Sequence, residues 1–253
     1  MNATCPPLVR ASLFLLGALS LTTAHADGPP GAQWGLGATV GLERKPYRDF
    51  DDKAQLLPVL FYENRWIKLA GATLDFKLPS NDAITWGPRL KFAGEGYEDK
   101  DSPFLRGMSE RKSSFWAGGA VRWDMSWATL SAEVLADASG NSKGSRMSLG
   151  LERRFSSGSF DFTPRVAAHQ VDKKYTNYYY GVRTEEATAL RPVYSGKSTT
   201  NLEVGLQIGY MLTPKQRVTL DLSTTQLGSD IKDSPLVERS RQYNVRLTYL
   251  YLF

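Results

Sequence analysis

Cysteine and histidine are nearly absent from this chain of 253 residues, and their scarcity narrows its possible chemistry. The only cysteine is Cys5, and the two histidines are His25 and His169. Cys5 and His25 lie in an N-terminal segment that we expect to be removed, so the remaining chain can use no thiol chemistry. Metal-ligand spacing, a phosphate-binding loop and a nucleophile elbow are also lacking, so we expect no cofactor and no metal.

A hydrophobic run long enough to form a membrane helix is missing as well. The longest apolar run covers residues 11–21, whereas a membrane-spanning helix needs about 20 such residues. Arg10 precedes this run and Ala-His-Ala at 24–26 follows it, which is the pattern of a cleavable export signal. The sequence therefore predicts a signal peptide at 1–26 and a mature barrel domain at 27–253.

A block of positive charge is the third absence. The chain has 31 basic and 26 acidic residues, and the modest excess is spread along its length. Nucleic-acid-binding proteins concentrate basic residues in a patch or run, so we expect no nucleic-acid partner.

What the chain does have is period-two alternation. From Trp34 onward, segments of about ten residues alternate between large apolar and polar or small side chains, and turn residues separate them. Aromatic residues such as Trp123 and Trp127 flank the tight turns, where a membrane barrel carries its interfacial girdles. Because only helices and closed barrels satisfy every backbone group in lipid, the sequence predicts an all-β fold. We expect a transmembrane antiparallel β-barrel in the outer membrane of a Gram-negative bacterium.

Eleven alternating segments can be read directly, but both termini of such a barrel face the periplasm, which requires an even number. We place the missing strand in the segment 66–78, divided at Gly71, or alternatively in the connection 172–200. The expectation is about twelve strands, with ten as the fallback. Short turns should face the periplasm and long loops the exterior. The expected turns lie near 124–126, 156–158 and 213–216, and the expected loops near 45–54, 97–112, 137–142, 172–200 and 228–241.

The last segment alternates up to the final residue of the sequence. Tyr249, Tyr251 and Phe253 lie on its apolar face. This strand resembles the C-terminal signal that the outer-membrane assembly machinery recognises, which implies that this machinery and outer-membrane lipid are partners.

Charged side chains should face the interior of the barrel. A cross-barrel network of ion pairs would plug the lumen, whereas a small pore with an anion preference is the alternative. His169 also faces inward, but the partners found in barrel lipases, deacylases and proteases are not beside it in the sequence, so we expect no catalytic residue. The lumen charges singled out are Arg89, Lys91, Arg122, Glu133, Arg165 and Arg246.

Three adjacent tyrosines, Tyr178, Tyr179 and Tyr180, form the most unusual local feature. In extended structure they cannot all point one way. They are interpreted either as part of a rim girdle or as a contact surface for a partner, because tyrosine is favoured at interfaces. Arg191 and Tyr194 follow them and are further interface candidates.

The Tyr-Tyr-Tyr-Gly-Val run at 178–182, with Arg-Pro-x-Tyr at 191–194, resembles the MipA/OmpV family of outer-membrane proteins, the MltA-interacting proteins. The glycine-rich segment 34–41 and the segment 57–63 fit the same family. This resemblance implies a non-catalytic scaffold that links a lytic transglycosylase and a murein synthase, which remodel the cell wall, to the outer membrane. The alternatives are a small channel or ligand-binding barrel, and a surface adhesin or antigen that acts through its external loops.

Overall fold

A computed structural model describes residues 31–50, 53–79 and 81–253; the predicted signal peptide at 1–26 lies outside the described residues. Two α-helices, α1 (Lys173–Tyr180) and α2 (Ser229–Lys232), accompany thirteen strand segments. The strands are β1 (Gln33–Arg44), β2 (Lys53–Glu63), β3 (Ile67–Ala70), β4 (Thr73–Phe76), β5 (Ile84–Ala93), β6 (Ser114–Asp124), β7 (Thr129–Asp137), β8 (Ser145–Glu152), β9 (Phe155–Ser157), β10 (Phe160–Val171), β11 (Thr199–Thr213), β12 (Gln216–Gln226) and β13 (Arg241–Leu252).

The sheet closes on itself. β1 pairs antiparallel with β2 on one side and with β13 on the other, and every other neighbouring pair is antiparallel as well. β8 and β9 both pair with β10, so they are two parts of one wall strand. The wall therefore has twelve strands, which confirms the larger of the two expected numbers.

The twelfth strand, which the alternation pattern did not reveal, lies in the segment 66–78, the first of the two expected places. Gly71 adopts a positive φ of 57°, and the chain turns there between β3 and β4. A left-handed backbone conformation of this kind favours glycine, which carries no Cβ to clash. The second candidate region, 172–200, contains α1 and a short 3-10 helix before β11 begins at Thr199, and no additional wall strand, so that alternative is wrong.

The two faces of the wall follow from the alternation. On β1, Leu36, Val40 and Leu42 are about half exposed and point to the lipid, whereas Thr39 between them is buried. Tyr249 and Phe253 point outward in the same way at the C-terminal end. Such exposure of large apolar side chains over a whole surface would be unfavourable in water and is favourable in lipid. Among the described residues, no helix has the length and apolar character to cross a membrane.

The long external loops fold together into a cap over the outer mouth of the barrel. We define the cap as residues 45–50, 94–113, 172–198 and 227–240. Its loops hold one another through backbone contacts: the amide of Arg48 donates to Leu236, and Ser102 Oγ donates to the Arg48 carbonyl at 2.6 Å. Its apolar core includes Tyr47, Tyr97, Leu105, Met108, Tyr175, Tyr179, Tyr180, Val182, Leu227, Ile231, Leu236 and Val237, and packs onto Trp116, Leu135 and Val171 of the wall.

Candidate functional site

Ion pairs line the inner face of the barrel between strands that are adjacent or two positions apart in the wall. Arg89 on β5 donates to both carboxylate oxygens of Asp75 on β4, at 2.6 and 2.9 Å. Its remaining terminal nitrogen, Nη1, donates to Glu133 on β7 at 2.6 Å. Lys91 Nζ lies 3.7 Å from the other oxygen of Glu133. Arg89 therefore joins strands that are three positions apart in the wall.

A second group of polar side chains continues this line around the wall. His169 on β10 has Nδ1 at 2.9 Å from Ser148 Oγ and Nε2 at 3.5 Å from Glu203 Oε2. Arg165 donates to Glu203 at 2.9 Å and to Asp221 on β12 at 2.7 and 3.0 Å.

Ser148 joins the two groups, because its hydroxyl also donates to Glu133 at 3.4 Å. We call the resulting line of contacts the charge belt. Each carboxylate in it faces a cation or a hydroxyl, which offsets the cost of holding charges at a partly buried site. The charge belt consists of Asp75, Arg89, Glu133, Ser148, His169, Glu203, Arg165 and Asp221.

The contact of Ser148, His169 and Glu203 brings together the residue types of a hydrolytic triad. A triad needs a serine hydroxyl that the histidine alone controls and a carboxylate that serves to orient the ring. Here Ser148 is shared with Glu133, and Glu203 is shared with Arg165. The arrangement is therefore a link in the charge belt, and the expectation that His169 has no catalytic role stays a prediction.

The predicted lumen charges divide into three groups. Arg89, Glu133 and Arg165 are in the charge belt, with Lys91 beside it. Arg122 lies nearer the periplasmic end, where it contacts Asp124 at 3.1 Å and Glu152 at 2.9 Å. Arg246 is exposed to the lumen opposite Gly41 and contacts no carboxylate among the residues that the structure describes. Whether these residues act on a ligand stays a prediction.

Asp75 and Ser148 were not singled out by the sequence. Period-two alternation places both on the inward face, but it does not tell which inward residues meet. Their partners, Arg89 and Glu133, lie fourteen and fifteen residues away in the chain. No local sequence pattern reports such contacts.

Away from the charge belt, β2 and β13 carry apolar side chains on part of their inward faces. On β2 the apolar inward residues are Leu57, Val59 and Phe61. Phe61 lies opposite Gly35 of β1, and Gly35 lies opposite Leu252 of β13. A Cβ on Gly35 would lie 2.9 Å from the Leu252 side chain, so the missing side chain lets the leucine lie across β1. We call this surface the apolar strip; it consists of Leu57, Val59, Phe61, Leu250 and Leu252.

A cavity of about 380 Å³ opens beside the charge belt toward the periplasmic end. Its lining includes acidic and basic side chains in nearly equal number. These are Glu63, Lys68, Asp75, Lys77, Arg89, Arg122 and Asp124.

A buried ion pair holds the cap together. Arg111 Nη2 donates to both oxygens of Glu186, at 2.9 and 2.8 Å, and both side chains are almost fully buried. Burial alone would raise the pKa of Glu186, but hydrogen bonds from Arg111 and from the backbone N–H groups of Arg183 and Ser109 outweigh it. They lower the pKa of Glu186 to about 2. The carboxylate therefore stays charged over the whole physiological range.

The three adjacent tyrosines lie in the helix α1 and not in an extended segment, contrary to expectation. Asp172 caps α1 by accepting a hydrogen bond from the Tyr175 amide at 2.8 Å. The helical period then places Tyr179 and Tyr180 in the cap core, whereas Tyr178 is only partly buried. The rim girdle of extended tyrosines is therefore wrong.

The other two interface candidates also have partners inside the cap. Arg191 is buried and donates to the carbonyls of Phe104 and Glu186. Tyr194 is partly exposed, and its hydroxyl donates to the Asp230 carbonyl at 3.0 Å. Of the five candidates, Tyr179, Tyr180 and Arg191 are buried, and only Tyr178 and Tyr194 are partly exposed. A partner role for this group stays a prediction, and the surface available for it is small.

The sequence matches the family model described as MltA-interacting protein MipA over residues 36–253. A relative named MltA-interacting protein from Escherichia coli (strain K12) is 27% identical over 243 residues, which cover 92% of this chain and 95% of the relative. The outer membrane protein Omp26La of Vibrio anguillarum is 28% identical over 185 residues, which cover 73% of this chain and 72% of the relative. Neither name is that of an enzyme.

Solved barrel structures resemble the chain more distantly. The COG4313 outer membrane channel from Pseudomonas putida F1 superposes with a TM-score of 0.46 at 11% identity, covering 89% of this chain and 96% of the channel. The NanC porin superposes with a TM-score of 0.40 at 10% identity, covering 87% of this chain and 99% of the porin.

Proposed function

Because the chain belongs to the MltA-interacting protein family of outer-membrane β-barrels, we propose that it is a non-catalytic scaffold for murein-remodelling enzymes. The observation that carries the proposal is the full-length relationship to a protein named for its interaction with MltA. A lytic transglycosylase is the first expected partner, and a murein synthase is the second.

The internal organisation of the barrel supports a scaffold more than a wide pore. The cap covers the outer mouth, and the charge belt joins side chains on the inner face of the wall from β4 to β12. A barrel of twelve strands is too narrow to enclose an enzyme, so a protein partner must bind an outer surface. Murein lies on the periplasmic side, and the surface there consists of the short turns and the ends of the strands.

These turns have features suited to an interface. Trp66 and Trp127 lie at two of them and are about half exposed. The longest periplasmic connection, 77–83, adds Lys77 and the exposed Asp82. Since a stable interface buries about 800 Å² on each partner, several turns have to contribute together.

Photocrosslinking in intact cells tests the proposal. A photoreactive amino acid is placed at Asp82 or Lys215 in periplasmic turns, and at Lys100 or Leu190 in the cap as matched exposed positions. We expect adducts with a lytic transglycosylase from the turn positions only, detected by mass spectrometry. Adducts from the cap positions alone would favour a surface adhesin, and turn positions without any murein-enzyme adduct would contradict the scaffold.

A further inference from the structure

The barrel wall has a notch in its outer half. β3 and β4 are four residues each, whereas β2 beside them has 11. On the other side β5 is bonded to the hairpin as far as its tip, where the Phe92 amide donates to the Ala72 carbonyl. β2 pairs with β3 only through residues 61–63, and the Gly71 amide donates to the Leu60 carbonyl at the tip of the short hairpin. Beyond that tip, residues 54–59 have a strand partner only in β1, as far as the structure describes the chain.

The composition of β2 fits an unpaired edge. Pro58 lies in the middle of the unpaired stretch, and proline within a sheet is confined mainly to edges and bulges because it has no N–H to donate. Unpaired backbone groups are costly in hydrocarbon. Among the described residues, backbone hydrogen bonds therefore do not seal the wall beside residues 54–59 of β2.

The apolar strip begins beside the notch. Leu57 belongs to the unpaired part of β2 and points into the lumen, yet it is 51% exposed, so open space lies beside it. From there the strip continues through Val59 and Phe61 to Leu250 and Leu252. If ion pairs alone filled the lumen, apolar side chains on its inner face would have no function. The apolar strip therefore needs another explanation.

A cation lies at the outer end of the strip. Arg246, Thr248, Leu250 and Leu252 follow one another on the inward face of β13. Arg246 contacts no carboxylate among the described residues, because its neighbour in the register, Asp221, is held by Arg165. The seven residues from Arg246 to Leu252 extend for about 20 Å, close to the length of an extended acyl chain of roughly fifteen carbons.

We propose that the lumen binds an anionic single-chain amphiphile of the fatty-acid class, which enters from the membrane through the notch. Its carboxylate lies at Arg246, and its chain lies along the apolar strip toward the periplasmic end. The charge of the free arginine selects an acid over a neutral lipid, and the apolar lining takes a chain that water would exclude. This binding site goes beyond the scaffold role and does not depend on it.

A photoreactive fatty acid tests the site. Outer-membrane vesicles that contain the protein are incubated with a pentadecanoic acid bearing a diazirine in mid-chain, illuminated, and analysed by residue-level mass spectrometry. We expect adducts on Leu57, Val59 or Leu250, and about tenfold fewer with the corresponding alcohol, because it cannot form the charge-assisted contact with Arg246.

Two substitutions complete the test. Arg246→Gln should reduce the lumen adducts by about the same factor as the alcohol, whereas Lys215→Gln, which removes an exposed cation in a periplasmic turn, should leave them unchanged. Migration of the unheated protein on a denaturing gel verifies that each variant is folded. Adducts confined to lipid-facing residues such as Leu36 and Leu56, or lumen adducts that do not respond to Arg246→Gln, would overturn the proposal.

Discussion

At the scale of single residues, the cap depends on charges that are paired away from water. Arg111 and Glu186 are each exposed by only about one or two per cent of their side chains. Replacing one partner of such a pair leaves the other charge buried without compensation, which costs more than the pair itself contributes. Lys100 and Glu98 make a pair of similar length in the same loop, but both side chains are largely exposed, so that contact contributes little.

Acid should loosen the cap through Glu186. Its pKa of about 2 lies below the value near 4.3 that a glutamate has in an unfolded chain. The stabilisation it provides is thus complete above pH about 4.3 and is lost as the pH falls toward 2. Hydrogen exchange of the amides in 94–113 and 172–198 should show protection decreasing over that interval.

Glu186→Gln provides the control for this pH dependence. The variant should lose about 1–3 kcal/mol of cap stability at neutral pH, because Arg111 then faces a neutral amide. It should also lose less protection between pH 4.3 and 2 than the wild type does. Equal losses in both proteins would assign the effect to other carboxylates.

At the scale of elements, two adjacent glycines on β6 have different roles. A methyl group on Gly118 would collide with the carbonyl oxygen of Val134 on β7, whereas one on Gly119 meets no heavy atom within 4 Å. Gly118 faces the lumen and permits a close approach of the two strands. Gly119 faces the lipid.

Alanine substitutions at these two positions should therefore distinguish the effect of close strand packing on barrel stability from the effect of strand propensity. Gly118→Ala should destabilise the barrel by about 1–3 kcal/mol, since β6 and β7 have to move apart. Gly119→Ala should be neutral or stabilising by up to about 1 kcal/mol. The temperature at which each protein loses its folded migration on a gel measures the difference, and equal temperatures for the two variants would contradict this role of Gly118.

The elements also show where sequence patterns succeed. Alternation and turn residues identify the strands, because the facing of a side chain in a strand depends only on its own position. Gly71 marked the split between β3 and β4 for the same local reason. The tyrosines of α1 were misread because eight residues of helix between two long strands give only a weak periodic signal, and Asp172 as a helix cap was not recognised.

At the scale of the whole molecule, the cap decides whether the lumen is reached from outside. Tyr47 on the first loop donates to the carbonyl of Tyr179 at 3.3 Å, and Ser234 on the last loop donates to that of Tyr180 at 2.6 Å. The first and last loops, which are neighbours in the ring because β13 pairs with β1, thus both contact α1. The outer mouth is covered by packed side chains, whereas the apolar strip lies outside the charge belt.

Conductance in planar bilayers should show whether the cap closes the lumen. The wild-type protein should show no steady ohmic steps, because the cap closes the axial path. Replacing residues 173–197 with a short glycine-serine linker should produce steady steps through the part of the lumen beside the apolar strip. The control variant combines Leu190→Ser with Val193→Ser, two exposed positions in the same loop, and should show no conductance steps. Steady steps in the wild type would refute closure by the cap.

The alternation of side chains by itself determined the barrel, eleven of its strand segments, the lipid-facing surface and the inward set that contains Arg89, Glu133 and Arg165. Each of these depends on the position of a residue within its own strand. The twelfth strand followed from the even number that a barrel of this kind requires and from Gly71. The tertiary structure alone decided that Asp75 and Ser148 complete the charge belt, that Arg246 contacts no carboxylate in the described part of the chain, and that the edge of β2 beside Leu57 has no strand partner there. Those features arise where strands distant in the sequence are brought side by side, and closure of the ring sets their register.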